Sequence, residues 1–149
     1  MNKKFELLFD DTIEVFGRKL FRIKAKINFG SVKVGEIGGY IEKEENLSEH
    51  GDAWVCGDAR VYGNALVYGN ARVYGDAGVK SPKDYIVFKN SWSSFRWFTY
   101  TKSNKMWKVG CFYGSGQELI EKAYQDSEQS GKCYEAYVNL VLELEKLDD

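Results

Sequence analysis

Between Gly51 and Lys80 one six-residue phrase recurs five times: Gly51-Asp52-Ala53-Trp54-Val55-Cys56, Gly57-Asp58-Ala59-Arg60-Val61-Tyr62, Gly63-Asn64-Ala65-Leu66-Val67-Tyr68, Gly69-Asn70-Ala71-Arg72-Val73-Tyr74 and Gly75-Asp76-Ala77-Gly78-Val79-Lys80. A strict period of six, with a small and a β-branched residue at fixed offsets, is the signature of a parallel β-helix. Each Ala-x-Val triplet sends two apolar side chains to one face of a short strand. The residues between them, Trp54, Arg60, Leu66, Arg72 and Gly78, are therefore expected to point outward. Gly-Asp and Gly-Asn pairs mark the corners, where glycine accepts positive φ and the Asx side chain bonds its own backbone. A meander of antiparallel strands would tolerate variable strand lengths, which the strict period does not show.

The expected fold class is mainly β with an α+β tail, built on a short left-handed parallel β-helix over 41–81. With about three hexads to a coil, equivalent positions stack at roughly 4.8 Å, which sets Cys56 under Tyr74, Trp54 under Arg72 and Asp58 under Asp76. Residues 1–40 read as a β-hairpin cap, because Phe21, Ile23, Ala25 and Ile27 alternate with Arg22, Lys24 and Lys26. Such a cap covers the open edge of the first coil. Pro82, the single proline, ends the repeats, and 82–149 read as an α+β lobe. Strands are expected at 85–88, 95–101 and 106–112. One helix starts at the capping box Ser115-Gly116-Gln117-Glu118. A second, from Lys132, carries Tyr134, Tyr137, Val138, Val141, Leu144 and Leu147 on one stripe.

Composition narrows the chemistry. A chain of 149 residues can bury a core without metals or disulfides. No apolar run reaches membrane-spanning length and the first residues lack the apolar segment of a secretory signal, so a cytoplasmic location is expected. Cys56, Cys111 and Cys133 are odd in number and widely spaced, with His50 the one histidine, so reduced thiols and no metal or other cofactor are expected. Charge is unevenly spread. Residues 81–112 hold six basic side chains against Asp84 alone, while 113–149 hold nine acids against three lysines.

The run Phe21-Arg22-Ile23-Lys24-Ala25, then Phe29-Gly30-Ser31-Val32-Lys33-Val34-Gly35-Glu36-Ile37-Gly38-Gly39-Tyr40-Ile41-Glu42, then Asn46-Leu47-Ser48 ahead of the hexads resembles a family of short hexapeptide-repeat proteins of phages and prophages. The tail, with Gly110-Cys111-Phe112-Tyr113-Gly114 before two helices, is similar to the phage members. It departs from them where Phe95 separates Ser94 from Arg96. The resemblance implies a fold and a phage context, not a reaction.

No catalytic constellation accompanies the repeats. Hexapeptide acyltransferases share the repeat phase, but they need longer β-helices and a histidine base, and His50 beside Gly51 reads as a turn residue. Together with the absence of such a constellation, the resemblance to phage proteins implies as the leading expectation a non-catalytic phage or mobile-element binding protein, an anti-defence inhibitor of the anti-CRISPR kind that occludes a host defence protein or complex. The alternatives are a sponge for a nucleotide second messenger, which extends to nucleic acid as a ligand, and a structural oligomerisation scaffold. No membrane partner is expected. The basic, aromatic stretch supplies the candidate binding residues Trp92, Arg96, Trp97, Tyr100, Lys102, Trp107 and Lys108, since aromatic rings stack bases and cations hold phosphate. Alternation over 95–101 would place Arg96 and Tyr100 on one contact face, with Phe95, Trp97 and Thr99 on the other. An Arg- and Trp-lined pocket would favour the sponge, and a flat exposed face a protein partner. Tyr62, Tyr68 and Tyr74, at one offset of the repeat, are the expected homo-oligomer interface.

Overall fold

The computed structural model describes residues 2–148. Its strands are β1 (Phe5–Val15), β2 (Arg18–Ala25), β3 (Ile37–Ile41), β4 (Trp54–Val55), β5 (Arg60–Val61), β6 (Arg72–Val73), β7 (Gly78–Val79), β8 (Tyr85–Lys89), β9 (Trp97–Thr101), β10 (Met106–Val109) and β11 (Phe112–Ser115). Two α-helices follow among the described residues, α1 (Gly116–Asp126) and α2 (Glu128–Leu147). No helix among the described residues is long and apolar enough to cross a membrane.

The parallel β-helix expected over 41–81 is corrected by this arrangement. The described residues form a mixed α+β structure with three separate sheets: β1-β2-β3-β5-β7, β11-β10-β9-β8 and the pair β4-β6. Hexads eighteen residues apart do pair in parallel, Trp54 with Arg72, Val55 with Val73, Arg60 with Gly78 and Val61 with Val79. These strands are only two residues long and are divided between two sheets, and Val67 makes a single bridge to Leu47. The reason lies in the corners. Gly51, Gly57, Gly63, Gly69 and Gly75 all take positive φ, between 64° and 73°, so the turns consume most of each hexad and leave little backbone to pair. The larger sheet is completed by antiparallel partners from outside the repeat, since β3 pairs β2 on one side and β5 on the other.

The alanines and valines of the hexads form one core with Phe5, Ile23, Val32, Ile41 and Leu47. Trp54 is a second correction, because it is fully buried instead of pointing into solvent. Phe29 packs edge-on against its indole at 5.3 Å, and a Cβ on Gly38 would stand 2.8 Å from it, so only glycine leaves room for the ring. The N-terminal segment is tied to the repeat by Lys4, whose buried ammonium donates to the Ser48 carbonyl at 2.9 Å and lies 4.7 Å from the Phe29 ring centroid.

A second core joins the four-stranded sheet to the helices through Phe98, Tyr100, Trp107, Leu119, Ala123, Tyr134, Val138 and Val141. Ser115 caps α1: its hydroxyl accepts from the Glu118 N–H, and the Glu118 carboxylate accepts from the Ser115 N–H. The second helix begins at Glu128, earlier than the apolar stripe alone suggests, because the Ser127 hydroxyl accepts from the Ser130 N–H.

Candidate functional site

The repeat and the C-terminal sheet meet along β6 and β9. The Arg72 N–H donates to the Thr99 hydroxyl at 2.9 Å, and the Gly78 N–H donates to the Ser103 hydroxyl at 2.7 Å. Tyr74 packs against Tyr113 with ring centroids 5.1 Å apart, so the last repeat corner is held against β11. The Gly78–Ser103 and Tyr74–Tyr113 contacts clamp the junction away from Arg72 and Thr99. Beside the Arg72–Thr99 bond it opens into a cleft of about 540 Å³ whose lining includes Ser31, Arg72, Arg96, Trp97, Thr99 and Lys108.

Each side chain reaches the cleft for a local reason. Lys108 lies opposite Thr99 in the β9–β10 register, on the sheet face turned toward the repeat, with its ammonium 4.4 Å from the Tyr74 ring centroid. Arg72 occupies the outward offset of its hexad, and its guanidinium donates to the Ser31 hydroxyl, which the turn Phe29–Val32 carries into place. Phe95 has φ of 59°, a left-handed conformation that interrupts strand alternation just before β9. Arg96 therefore lines the cleft with Trp97 and Thr99, while Phe98 and Tyr100 turn to the helices.

The lining carries three cations, Arg72, Arg96 and Lys108, against one carboxylate, Asp52. Burial holds the Lys108 pKa below the ordinary lysine value, with Cys111 and Cys56 opposing and the Arg72 charge adding to the lowering. Burial also pushes the Cys56 thiol up to about 11, so it is neutral and poorly nucleophilic at physiological pH. Trp97 keeps about half its surface exposed, with the Lys89 ammonium 5.9 Å from its ring centroid. Cations converging beside an exposed indole can hold an anionic group through charge-assisted bonds and stack a planar ring.

Of the residues singled out from sequence, Arg96, Trp97 and Lys108 come together here. Tyr100 and Trp107 do not, since both are buried in the helix-packed core and the Tyr100 hydroxyl donates to Glu145 at 3.0 Å. Burial first, and the Glu145 carboxylate second, raise the Tyr100 pKa. Trp92 stacks on Tyr137, and its indole N–H donates to Ser130. Lys102 pairs with Asp148 at 2.6 Å. Among the repeat tyrosines, Tyr74 is held by Tyr113 and Lys108, Tyr62 lies under Arg18 with the cation 6.0 Å from its ring, and Tyr68 alone is broadly exposed. The three therefore form no common aromatic surface. Arg72, Ser31 and Thr99 are not legible as site residues in the sequence, because no local pattern links positions so far apart.

No family model and no curated protein matches the chain, so the functional reading rests on the geometry of the cleft.

Proposed function

We propose that the protein is a non-catalytic binding protein whose cleft captures a nucleotide-class ligand, a planar base joined to phosphate. The observation that carries this reading is the convergence of Arg72, Arg96 and Lys108 on one cavity beside the exposed face of Trp97. Three cations against Asp52 suit a polyanion, and the indole supplies a stacking platform of the kind that holds bases. A phage or mobile-element product of this type would withdraw a nucleotide signal from a host defence pathway instead of covering a host protein. The burial of Tyr100 and Trp107 speaks against the flat aromatic face that occlusion of a protein would use.

The test is titration of the purified protein with linear and cyclic mono- and dinucleotides, read by calorimetry and by tryptophan fluorescence. Binding by the wild type, lost in both Arg96→Ala and Trp97→Ala and retained in Lys105→Ala on the far side of the lobe, is the expected result. Failure of every nucleotide to bind, or equal binding by Arg96→Ala and Trp97→Ala, would refute it.

A further inference from the structure

Strand β8 leaves a hydrogen-bonding edge open. It pairs with β9 and with no other strand among the described residues. The Asn90 N–H donates to the Arg96 carbonyl at 2.9 Å and the Lys102 N–H to the Asp84 carbonyl at 3.0 Å, which fixes the phase of the ladder. Ile86 and Phe88 then exchange their backbone bonds with β9, while the N–H and C=O groups of Tyr85, Val87 and Lys89 face away from it. Among the described residues those groups have no backbone partner. The consequence is visible in burial. On β9 the residues Phe98, Thr99, Tyr100 and Thr101 are buried, whereas Ile86, Val87 and Phe88 on β8 remain half-buried.

Both walls beside this edge are apolar and uncovered. On the helix side Tyr137 packs on Phe88 with centroids 4.9 Å apart, and its stripe of α2 continues through Leu140, Leu144 and Leu147, which are 44%, 37% and 80% exposed. On the repeat side the Tyr85 hydroxyl donates to the Leu66 carbonyl at 2.8 Å, and the adjoining Leu66 and Tyr68 are 39% and 57% exposed. The floor of the groove is thus a strand edge, and a strand is what completes it.

We propose that a second copy of this chain docks there, β8 against β8 in antiparallel fashion about a two-fold axis through Val87. The outward-facing residues, Tyr85, Val87 and Lys89, are symmetric about Val87, so Tyr85 of one copy meets Lys89 of the other and Val87 meets Val87. Every open backbone group on the edge is matched, as an isologous interface requires. The charges agree with this register, since Lys89 comes opposite a tyrosine and Asp84 opposite Asn90, and no charge directly faces a like charge. The two α2 helices then bring Leu140, Leu144 and Leu147 together over the joined sheet, while Leu66 and Tyr68 close it from below. Self-association then centres on the β8 edge, with Tyr68 of the repeat at its margin, and it does not depend on what the cleft binds.

Sedimentation equilibrium combined with hydrogen exchange tests the proposal. The expected wild type is a dimer in which the Val87 amide exchanges slowly. The variant Leu140→Glu with Leu144→Glu should be a folded monomer with fast exchange at Val87, whereas Leu142→Glu, 50% exposed but off the stripe, should stay dimeric. Should the double variant fail to fold, Tyr68→Glu on the opposite wall gives the same readout. A wild type that is monomeric at every concentration, a dimer that survives these charge substitutions, or fast exchange at Val87 within a dimer would overturn it.

Discussion

Thr99 caps Arg72: the Arg72 backbone N–H, left over at the edge of β6, donates to the threonine hydroxyl at 2.9 Å. A side chain of the C-terminal sheet thereby satisfies a backbone group of the repeat, and the same two residues line the cleft. Thr99→Val keeps the shape and removes the acceptor. It should cost about 1–2 kcal/mol in denaturant unfolding, since a covered donor is left unpaired, and weaken ligand binding as the junction loosens. Ser103→Ala, which deletes the acceptor for Gly78 at a more exposed place, should cost no more than about 0.5 kcal/mol.

Arg96 and Tyr100 should separate cleanly by substitution. Arg96 is exposed at the cleft, so Arg96→Ala should leave stability within about 0.5 kcal/mol of wild type while abolishing nucleotide binding. Tyr100 is buried among Trp107, Phe98 and the helices, so Tyr100→Ala should open a cavity and cost about 3 kcal/mol or more. Thermal melts and calorimetry on both variants check the contrast. A stable Tyr100→Ala protein that has lost binding would restore Tyr100 to the contact surface.

Gly69 and Gly75 share a backbone conformation, with φ of 67° and 68°, but not surroundings. A Cβ at Gly69 would meet nothing within 4 Å, whereas at Gly75 it would fall 1.9 Å from the Tyr113 hydroxyl. Gly69→Ala should therefore cost only the left-handed backbone penalty, about 1–2 kcal/mol. Gly75→Ala should cost clearly more and disturb the Tyr74–Tyr113 contact. The difference in melting temperature between the two variants is the measurement.

Lys4 gives the protein a signature at alkaline pH. Burial draws its pKa from 10.5 down to about 8, with Asp52 opposing only in part. Between those values the unfolded chain holds a proton that the folded chain has released, so the Lys4 contribution to stability rises with pH from about 8 toward 10.5 and is least favourable below that window. The full rise is on the order of 3 kcal/mol. Cys56 works in the opposite sense, because its folded pKa is raised from 9.0 to about 11 and stability falls as pH climbs through that range. The difference between wild type and Lys4→Met across the window isolates the lysine, and the variant should lack the rise.

The hexads themselves determined the local rules of this protein. Glycine ahead of Asp or Asn dictated the positive-φ corners, and the Ala-x-Val spacing dictated which side chains enter the core, because turn conformation and strand face depend on neighbours within a few residues. The capping pattern at Ser115 and Glu118 was legible for the same reason. Which strands those short stretches would join was decided by tertiary structure. Two-residue strands carry too few hydrogen bonds to specify their own sheet, so β2 and β3 drew β5 and β7 into one sheet and left β4 and β6 as another. Tertiary packing also buried Trp54 under Phe29, turned Arg96 into the cleft through the left-handed Phe95, and sent Tyr100 and Trp107 to the helices. The cleft is built from Ser31, Arg72, Thr99 and Lys108, which are remote in sequence, and only the folded chain brings their side chains together because each is positioned by a partner outside its own segment.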